Sequence, residues 1–267
     1  VPEGDTVYRA AKKLDAALGR RRLDVVDLRV PDHATVDLAG AEHLGTVSRG
    51  KHLLTRLRHE GSDWTLHTHL KMEGSWHVYE GRARWRRPTH QARAVLRAGT
   101  TTAVGFSLGV VDLLRTADEP DVVGHVGPDL LGPDWDEEEA LRRLRADGHR
   151  PVAEALLDQR NLAGIGNMYM AELCFVSGVH PARPLADVPD LVRMVRRARQ
   201  MLDLNKERAM QSTTGDLRQG RQLWVYRRDQ QACRRCGTPV RVEMRVDAEA
   251  PLRGERASYW CPSCQPR

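Results

Sequence analysis

The chain opens with Val7, Ala10, Ala11, Leu14 and Leu18 at the i, i+3, i+4, i+7 spacing of an amphipathic helix. Asp5 or Thr6 is placed to cap its start and Gly19 to end it. The next hundred residues change period. Leu23–Val30, His52–Arg58, Trp64–Leu70, Ser75–Tyr79, Ala92–Arg97 and Thr101–Ser107 are short β-branched or alternating runs. Gly, Pro, Asp and Ser separate them, which predicts a mostly antiparallel sandwich or barrel. Residues 121–135, with Pro128, Gly132 and Pro133 among others, read as a linker. Helical periodicity then returns. Asp136 and Glu139 form a candidate capping box, and Val152–Arg160 and Asn167–Val176 flank a glycine-bearing turn. Asp190–Arg208 predicts a further amphipathic helix. The expected organisation is an α+β protein with a helix-plus-strand domain over 1–120, a linker over 121–135, a helical domain over 136–222 and a cysteine module over 223–267.

Composition narrows the classes. Forty per cent hydrophobic residues in 267 suffice for a core. No apolar run approaches the ~18 residues of a membrane span. The acidic start, Pro2-Glu3-Gly4-Asp5, does not read as a signal peptide, so the expected setting is cytoplasmic and away from membranes. The formal charge is +6, and its position matters more than its size. Residues 218–267 hold eleven arginines against five acids, a local net of +6, so the remainder balances to zero. Basic tails are commonly solvated surface, but this one also suits nucleic acid. Lysine is scarce: Lys12, Lys13, Lys51, Lys71 and Lys206 are all there are.

Five segments could carry chemistry. Cys233-x2-Cys236 and Cys261-x2-Cys264, 24 residues apart, supply four thiolates for one tetrahedral Zn2+. Such a tail is too small for a stable core, so metal binding, worth roughly 10–16 kcal/mol, would largely fold it. Four thiolates leave no open coordination position, which makes the zinc structural. Disulfides suit a cytoplasmic chain poorly, and Cys174 reads as a core residue. The turn Leu162-Ala163-Gly164-Ile165-Gly166-Asn167 could let backbone N–H groups and the following helix dipole meet an anion, although such turns also serve as plain helix connectors. At the N-terminus, Pro2 becomes a secondary-amine nucleophile once Val1 is removed, with Glu3 as neighbouring acid; Pro-Glu also simply opens helices. Finally, Gly50-Lys51-His52 starts a strand and His69-Leu70-Lys71-Met72-Glu73-Gly74 ends one, placing two ammonium groups and a flexible Met at turns.

In this order the segments resemble the Fpg/Nei family of bifunctional DNA glycosylases, in particular its endonuclease VIII branch and the second paralogue found in actinobacteria. The resemblance runs from Pro2-Glu3-Gly4 through Arg49-Gly50-Lys51, His69-Leu70-Lys71-Met72, Val126-Gly127-Pro128-Asp129, Leu156-Leu157-Asp158-Gln159 and the Gly164-Ile165-Gly166-Asn167 turn to Tyr259-Trp260-Cys261-Pro262-Ser263-Cys264. It implies a β-sandwich domain, a helix–two-turn–helix domain and a zinc finger, acting as a monomer on damaged DNA. By matching position it implies that Pro2 attacks C1′ and Glu3 acts as the acid. Lys51, Asn167 and Arg256 would contact phosphate, with Gly164 and Gly166 shaping the turn, and Met72, beside Lys71, would fill the gap left by a flipped nucleotide. The Pro2 iminium then allows β- and δ-elimination. Three departures stand out: Thr6 where the family commonly has Glu, Glu73 where this branch has an aromatic residue, and a Gly105–Leu113 segment that lacks the Arg and Phe pair inserted by the Fpg branch. They favour oxidised pyrimidines as substrates. A DNA-binding paralogue without catalysis, or an N-terminal-proline tautomerase, are the competing classes.

Overall fold

The computed structural model describes residues 2–246 and 255–267. It divides into two compact units, Val1–His125 and Val126–Arg267.

In the first unit, α1 (Gly4–Leu18) is followed by eight strands: β1 (Val25–Leu28), β2 (Glu42–Arg49), β3 (His52–His59), β4 (Ser62–His69), β5 (Ser75–Glu80), β6 (Ala92–Ala98), β7 (Thr101–Phe106) and β8 (Val110–Arg115). They form two four-stranded antiparallel sheets, in the orders β1-β6-β7-β5 and β2-β3-β4-β8. Leu53, Leu57 and Leu66 of one sheet and Ala94, Leu96 and Ala103 of the other share a single core cluster with Val7, Ala11, Leu14 and Leu18 of α1. The apolar stripe legible at the N-terminus is therefore the face that α1 buries. Two details differ from the expectation. Glu3, rather than Asp5 or Thr6, is the N-cap residue, because Gly4 and Asp5 already lie in the helix. Strand β2 is mostly polar, and in β8 the adjacent pairs Val110-Val111 and Leu113-Leu114 break the alternation that would single it out. Gly19 ends α1 in the left-handed conformation, as expected. A short helix, α2 (Glu119–Val123), closes the unit inside the segment that reads as a linker.

The second unit packs α3 (Glu137–Arg145), α4 (Val152–Leu157), α5 (Asn167–Ser177) and α6 (Leu191–Asn205) and ends in the hairpin β9 (Arg241–Arg245) and β10 (Arg256–Trp260). Asp136 caps α3 by accepting the Glu139 N–H at 3.0 Å, but the Glu139 side chain pairs with Arg142 and Arg143 instead of completing the box. Helix α5 is buried on nearly all sides, with Cys174 in its core. Burial pushes the Cys174 thiol up to about 12, so it is inert. Among the described residues no helix is long and apolar enough to cross a membrane.

A carboxylate in the middle of this buried helix ties the unit together. Glu172, fully buried, accepts the backbone N–H groups of Trp224, Val225 and Tyr226, each at 2.8 Å, and the Thr213 hydroxyl. Burial pushes its pKa up, and the four donors hold back part of that rise. The chain leading into the cysteine module is thus anchored on α5 by these bonds as well as by Val225 and Tyr226, which are buried in the same core. Glu172→Ala would leave three buried N–H groups unpaired and should cost about 3 kcal/mol or more, measured by urea unfolding, with Glu172→Gln costing less.

Candidate active site and metal centre

The N-terminal pair sits where a helix begins. Glu3 is extended (φ −126°, ψ −173°), its carbonyl accepts the Val7 N–H at 3.0 Å, and its side chain does not cap its own helix. Both Glu3 and Asp5 are only 1 % exposed. Two carboxyl groups are thus buried at the positive end of the α1 dipole. Pro2 remains partly exposed at the same end. Val1 lies outside the described residues.

Lys51 lies in the two-residue turn between β2 and β3, where Gly50 takes φ 57°. Lys71 and Met72 lie in the turn after β4. Gly74 N–H closes this turn on the Leu70 carbonyl at 2.9 Å, and a Cβ at Gly74 would come within 2.4 Å of that oxygen. Lys71 is left-handed (φ 51°), with its N–H donated to His69 Nδ1 at 2.9 Å. The turn holds Met72 out into solvent, 66 % exposed. Lys51 and Lys71 converge on His69: burial, Lys71 and Lys51 push its pKa down to about 4. Around them lies a group of imidazoles, His52, His67, His69 and His125, that the sequence reading passed over. Its signal was available: His67 and His69 alternate onto one face of β4.

In the second unit, residues 158–166 separate α4 from α5. Gln159 braces them, its amide N–H groups donated to the Leu157 and Ile165 carbonyls and its Oε1 accepting the Gly164 N–H at 3.1 Å. Gly164 has φ 110°, which an L side chain rarely adopts. Ala163 N–H bonds the Pro128 carbonyl at 2.8 Å, so residues 126–130 are stitched into the turn. Asp158, 1 % exposed, accepts from Arg150 at 2.9 Å and from Arg160. Burial alone would raise its carboxyl, but the hydrogen bonds from Arg160 and Arg150 more than reverse this and hold it well below the usual carboxylate range. Gly166 is the N-cap of α5, and Asn167 is its first residue. Asn167 Nδ2 donates to the Ala257 carbonyl at 2.8 Å, next to Arg256, the first residue of β10. The Asn167 Oδ1 atom is buried without a partner. The structure therefore brings Asn167, Gly166 and Arg256 to one place from positions about ninety residues apart.

Cys233, Cys236, Cys261 and Cys264 converge, all four sulfurs within 4.8 Å of one another. Cys233 and Cys264 are 4.0 Å apart and Cys236 and Cys261 3.4 Å. A tetrahedron with 2.3 Å metal–sulfur bonds has edges of about 3.8 Å, so this cluster can hold a metal ion. Hydrogen bonds from Thr238 lead in bringing Cys236 down to about 6, whereas burial and the neighbouring sulfurs push Cys264 up to about 12. Val179 O, at the end of α5, accepts from Gln265 just beyond the second knuckle at 2.8 Å.

Comparison with known proteins gives this geometry a lineage. The formamidopyrimidine-DNA glycosylase N-terminal domain matches residues 1–115, and the H2TH domain of formamidopyrimidine-DNA glycosylase matches residues 126–211. A Streptomyces coelicolor protein named probable endonuclease 8 2 is 52% identical over 99% of this chain and 94% of its own length. Mycolicibacterium smegmatis DNA-(apurinic or apyrimidinic site) lyase Nei2 is 47% identical over 99% of both. Endonuclease 8 of Escherichia coli is 29% identical over 99% of this chain and 100% of the relative. The Lactococcus lactis Fpg structure, a complex with DNA containing an abasic site, shares the fold at a TM-score of 0.79, with 19% identity over 99% of this chain and 100% of that one. With matches to both domains and near-full-length relatives at this identity, the chain belongs to the Fpg/Nei family of DNA glycosylases, on its second endonuclease 8 branch.

Proposed function

We propose that the protein is a bifunctional DNA glycosylase and AP lyase of base excision repair, acting as a cytoplasmic monomer on damaged DNA and preferring oxidised pyrimidines. The observation that carries this reading is the pairing of Pro2 with a buried Glu3 at the start of α1. We further assign residues 1–120 as the catalytic domain, 121–135 as a linker, 136–222 as the helix–two-turn–helix domain and 223–267 as the zinc finger.

The chemistry follows from the parts. Once Val1 is removed, Pro2 nitrogen is a secondary amine with a pKa near ~8, so a useful fraction is neutral. Its lone pair attacks C1′ of the damaged nucleotide. The bond from C1′ to the base breaks, and its electron pair leaves with the base, which takes up the proton that Pro2 nitrogen gives up. Glu3 donates its proton to the sugar ring oxygen, opening the ring and leaving an iminium between Pro2 and C1′. The iminium acidifies the C2′–H. Loss of that proton expels the 3′ phosphate, a second elimination expels the 5′ phosphate, and water releases the sugar remnant from Pro2.

The remaining residues hold the substrate. Lys51 and Lys71, and Asn167 with Arg256, supply cations and donors for the phosphates flanking an extruded nucleotide. Gly164 and Gly166 let the turn approach that backbone. Met72 is suited to the gap: a flipped nucleotide leaves an apolar void, and an exposed thioether side chain on a fixed turn can fill it. Zn2+ bound by Cys233, Cys236, Cys261 and Cys264 would supply no reactive position; it holds the β9–β10 hairpin so that Arg256 stays beside Asn167.

Borohydride should trap wild-type protein on DNA carrying an abasic site, and Pro2→Gly should reduce that adduct by at least tenfold. Glu3→Gln should bind the same DNA with near-normal affinity yet lose base removal by about 10²-fold or more. Absence of any adduct from mature wild type would leave a damaged-DNA-binding protein without chemistry. Lys51→Ala and Arg256→Ala should each lower the slope of log affinity against log salt by about 1. Metal analysis should find one zinc per chain, and its removal by chelator should abolish DNA binding while leaving the β-sandwich melting transition in place.

A further inference from the structure

Strands β3 and β4 carry a histidine cluster that the chemistry above leaves unused. His52 pairs in register with His69, and His67 lies two residues earlier on the same face of β4. His52 Nδ1 is 2.8 Å from His67 Nε2, the rings stacked with centroids 5.1 Å apart. His69 and His125 meet the His52 ring edge-on at 5.2 and 6.2 Å. Lys51 precedes the group in the β2–β3 turn and Lys71 follows it after β4. Asp112 of β8, opposite His67, is the acid whose charge reaches it.

The hydrogen bonds fix where the protons lie. One proton sits between His52 and His67. Were His52 the donor, His67 would carry its own proton on Nδ1, which is buried without a partner. A buried unpaired N–H is a rarer orphan than a buried lone pair. His67 Nε2 is therefore the donor, and His52 carries its proton on Nε2. A separate bond sets His69: Nδ1 accepts the Lys71 N–H, so its proton also lies on Nε2. Neighbouring strands thus present two N–H donors between two ammonium groups. That arrangement repels a cation and suits an acceptor-only anion with two equivalent oxygens.

We propose that His52 is a further phosphate-binding residue, an uncharged Nε2–H donor to the phosphodiester held by Lys51, and that His67 is the positioning residue fixing its tautomer. This rests on the reading of the protein as a DNA-binding enzyme. Burial, the adjoining imidazoles and Lys71 push the His52 pKa down to about 3, so the ring stays neutral throughout the working pH range. A neutral donor strengthens binding without releasing a counterion. Its signature is a change in affinity with no change in salt dependence.

The test measures Kd for a duplex bearing an uncleavable abasic-site analogue over a series of salt concentrations. His52→Ala should weaken binding about tenfold with the wild-type salt slope. His52→Gln, whose amide nitrogen falls near the position of Nε2, should recover most of the loss. In the same assay Lys51→Ala should lower the slope. Imidazole 15N shifts should report the Nε2–H tautomer of His52 in wild type and its loss in His67→Leu. These shifts and His52→Gln decide the matter if His52→Ala folds poorly. Wild-type affinity in His52→Ala, a slope reduced as in Lys51→Ala, or a His52→Gln no better than His52→Ala would overturn the inference alone. A wild type that does not bind this DNA would instead remove the DNA-binding reading, and the inference with it.

Discussion

The nucleophile proposed at Pro2 would have one covalent tether once Val1 is removed, so its nitrogen would be only as well placed as the element that starts behind it. Here that element is α1, which begins at Gly4, two residues after Pro2. Its stripe of Val7, Ala11, Leu14 and Leu18 is almost fully buried against residues from both sheets. Burying four such side chains is worth several kcal/mol, on the order of 1.5–3 for each large one. That packing fixes the direction of the helix, and with it the position of its positive end. The same end holds Glu3 and Asp5 out of water. The placement of Pro2 and the burial of Glu3, the acid proposed above, both follow from one amphipathic helix seated in a sandwich.

The second unit solves a related problem with polar groups instead. The cysteine module adds Val225, Tyr226, Cys233, Val240 and Cys261 to the core, and specific polar anchors fix how it attaches. Glu172 collects three consecutive backbone N–H groups from the entering chain, Gln265 ties the far knuckle to the Val179 carbonyl, and Asn167 bonds the hairpin at Ala257. All three anchors lie on α5 or in contact with its ends. This explains why α5 has almost no polar face: it is the post around which turn, hairpin and four-cysteine cluster are arranged.

Much of this was legible in the sequence because it rests on local signals. The 3.6-residue period of α1, the left-handed glycine closing it, the Asp136 cap and the paired CxxC knuckles each need only neighbours along the chain. Strands β2 and β8 were missed because their burial patterns, mixed in β2 and intermediate throughout most of β8, blur the period of two. The role of Glu172 was invisible, since a carboxylate in a helix reads as solvated until its distant partners are known. The imidazole cluster depends on the β3–β4 register, which brings His52 to His69 across the sheet. Within the segment 121–135, read as a linker from its glycines and prolines, the short helix Glu119–Val123 ends and residues 126–130 are hydrogen-bonded to the turn before α5, contacts that no local signal announces.

The central claim is that the first covalent bond to DNA forms at Pro2 nitrogen. Peptide mapping by mass spectrometry of the borohydride-reduced complex tests it most directly. The account predicts that Val1 is absent and that the reduced sugar remnant lies on the peptide Pro2–Arg9, attached at its amino terminus. A remnant on a peptide containing Lys51 or Lys71, or an N-terminal peptide that keeps Val1 in protein active on DNA, would contradict it.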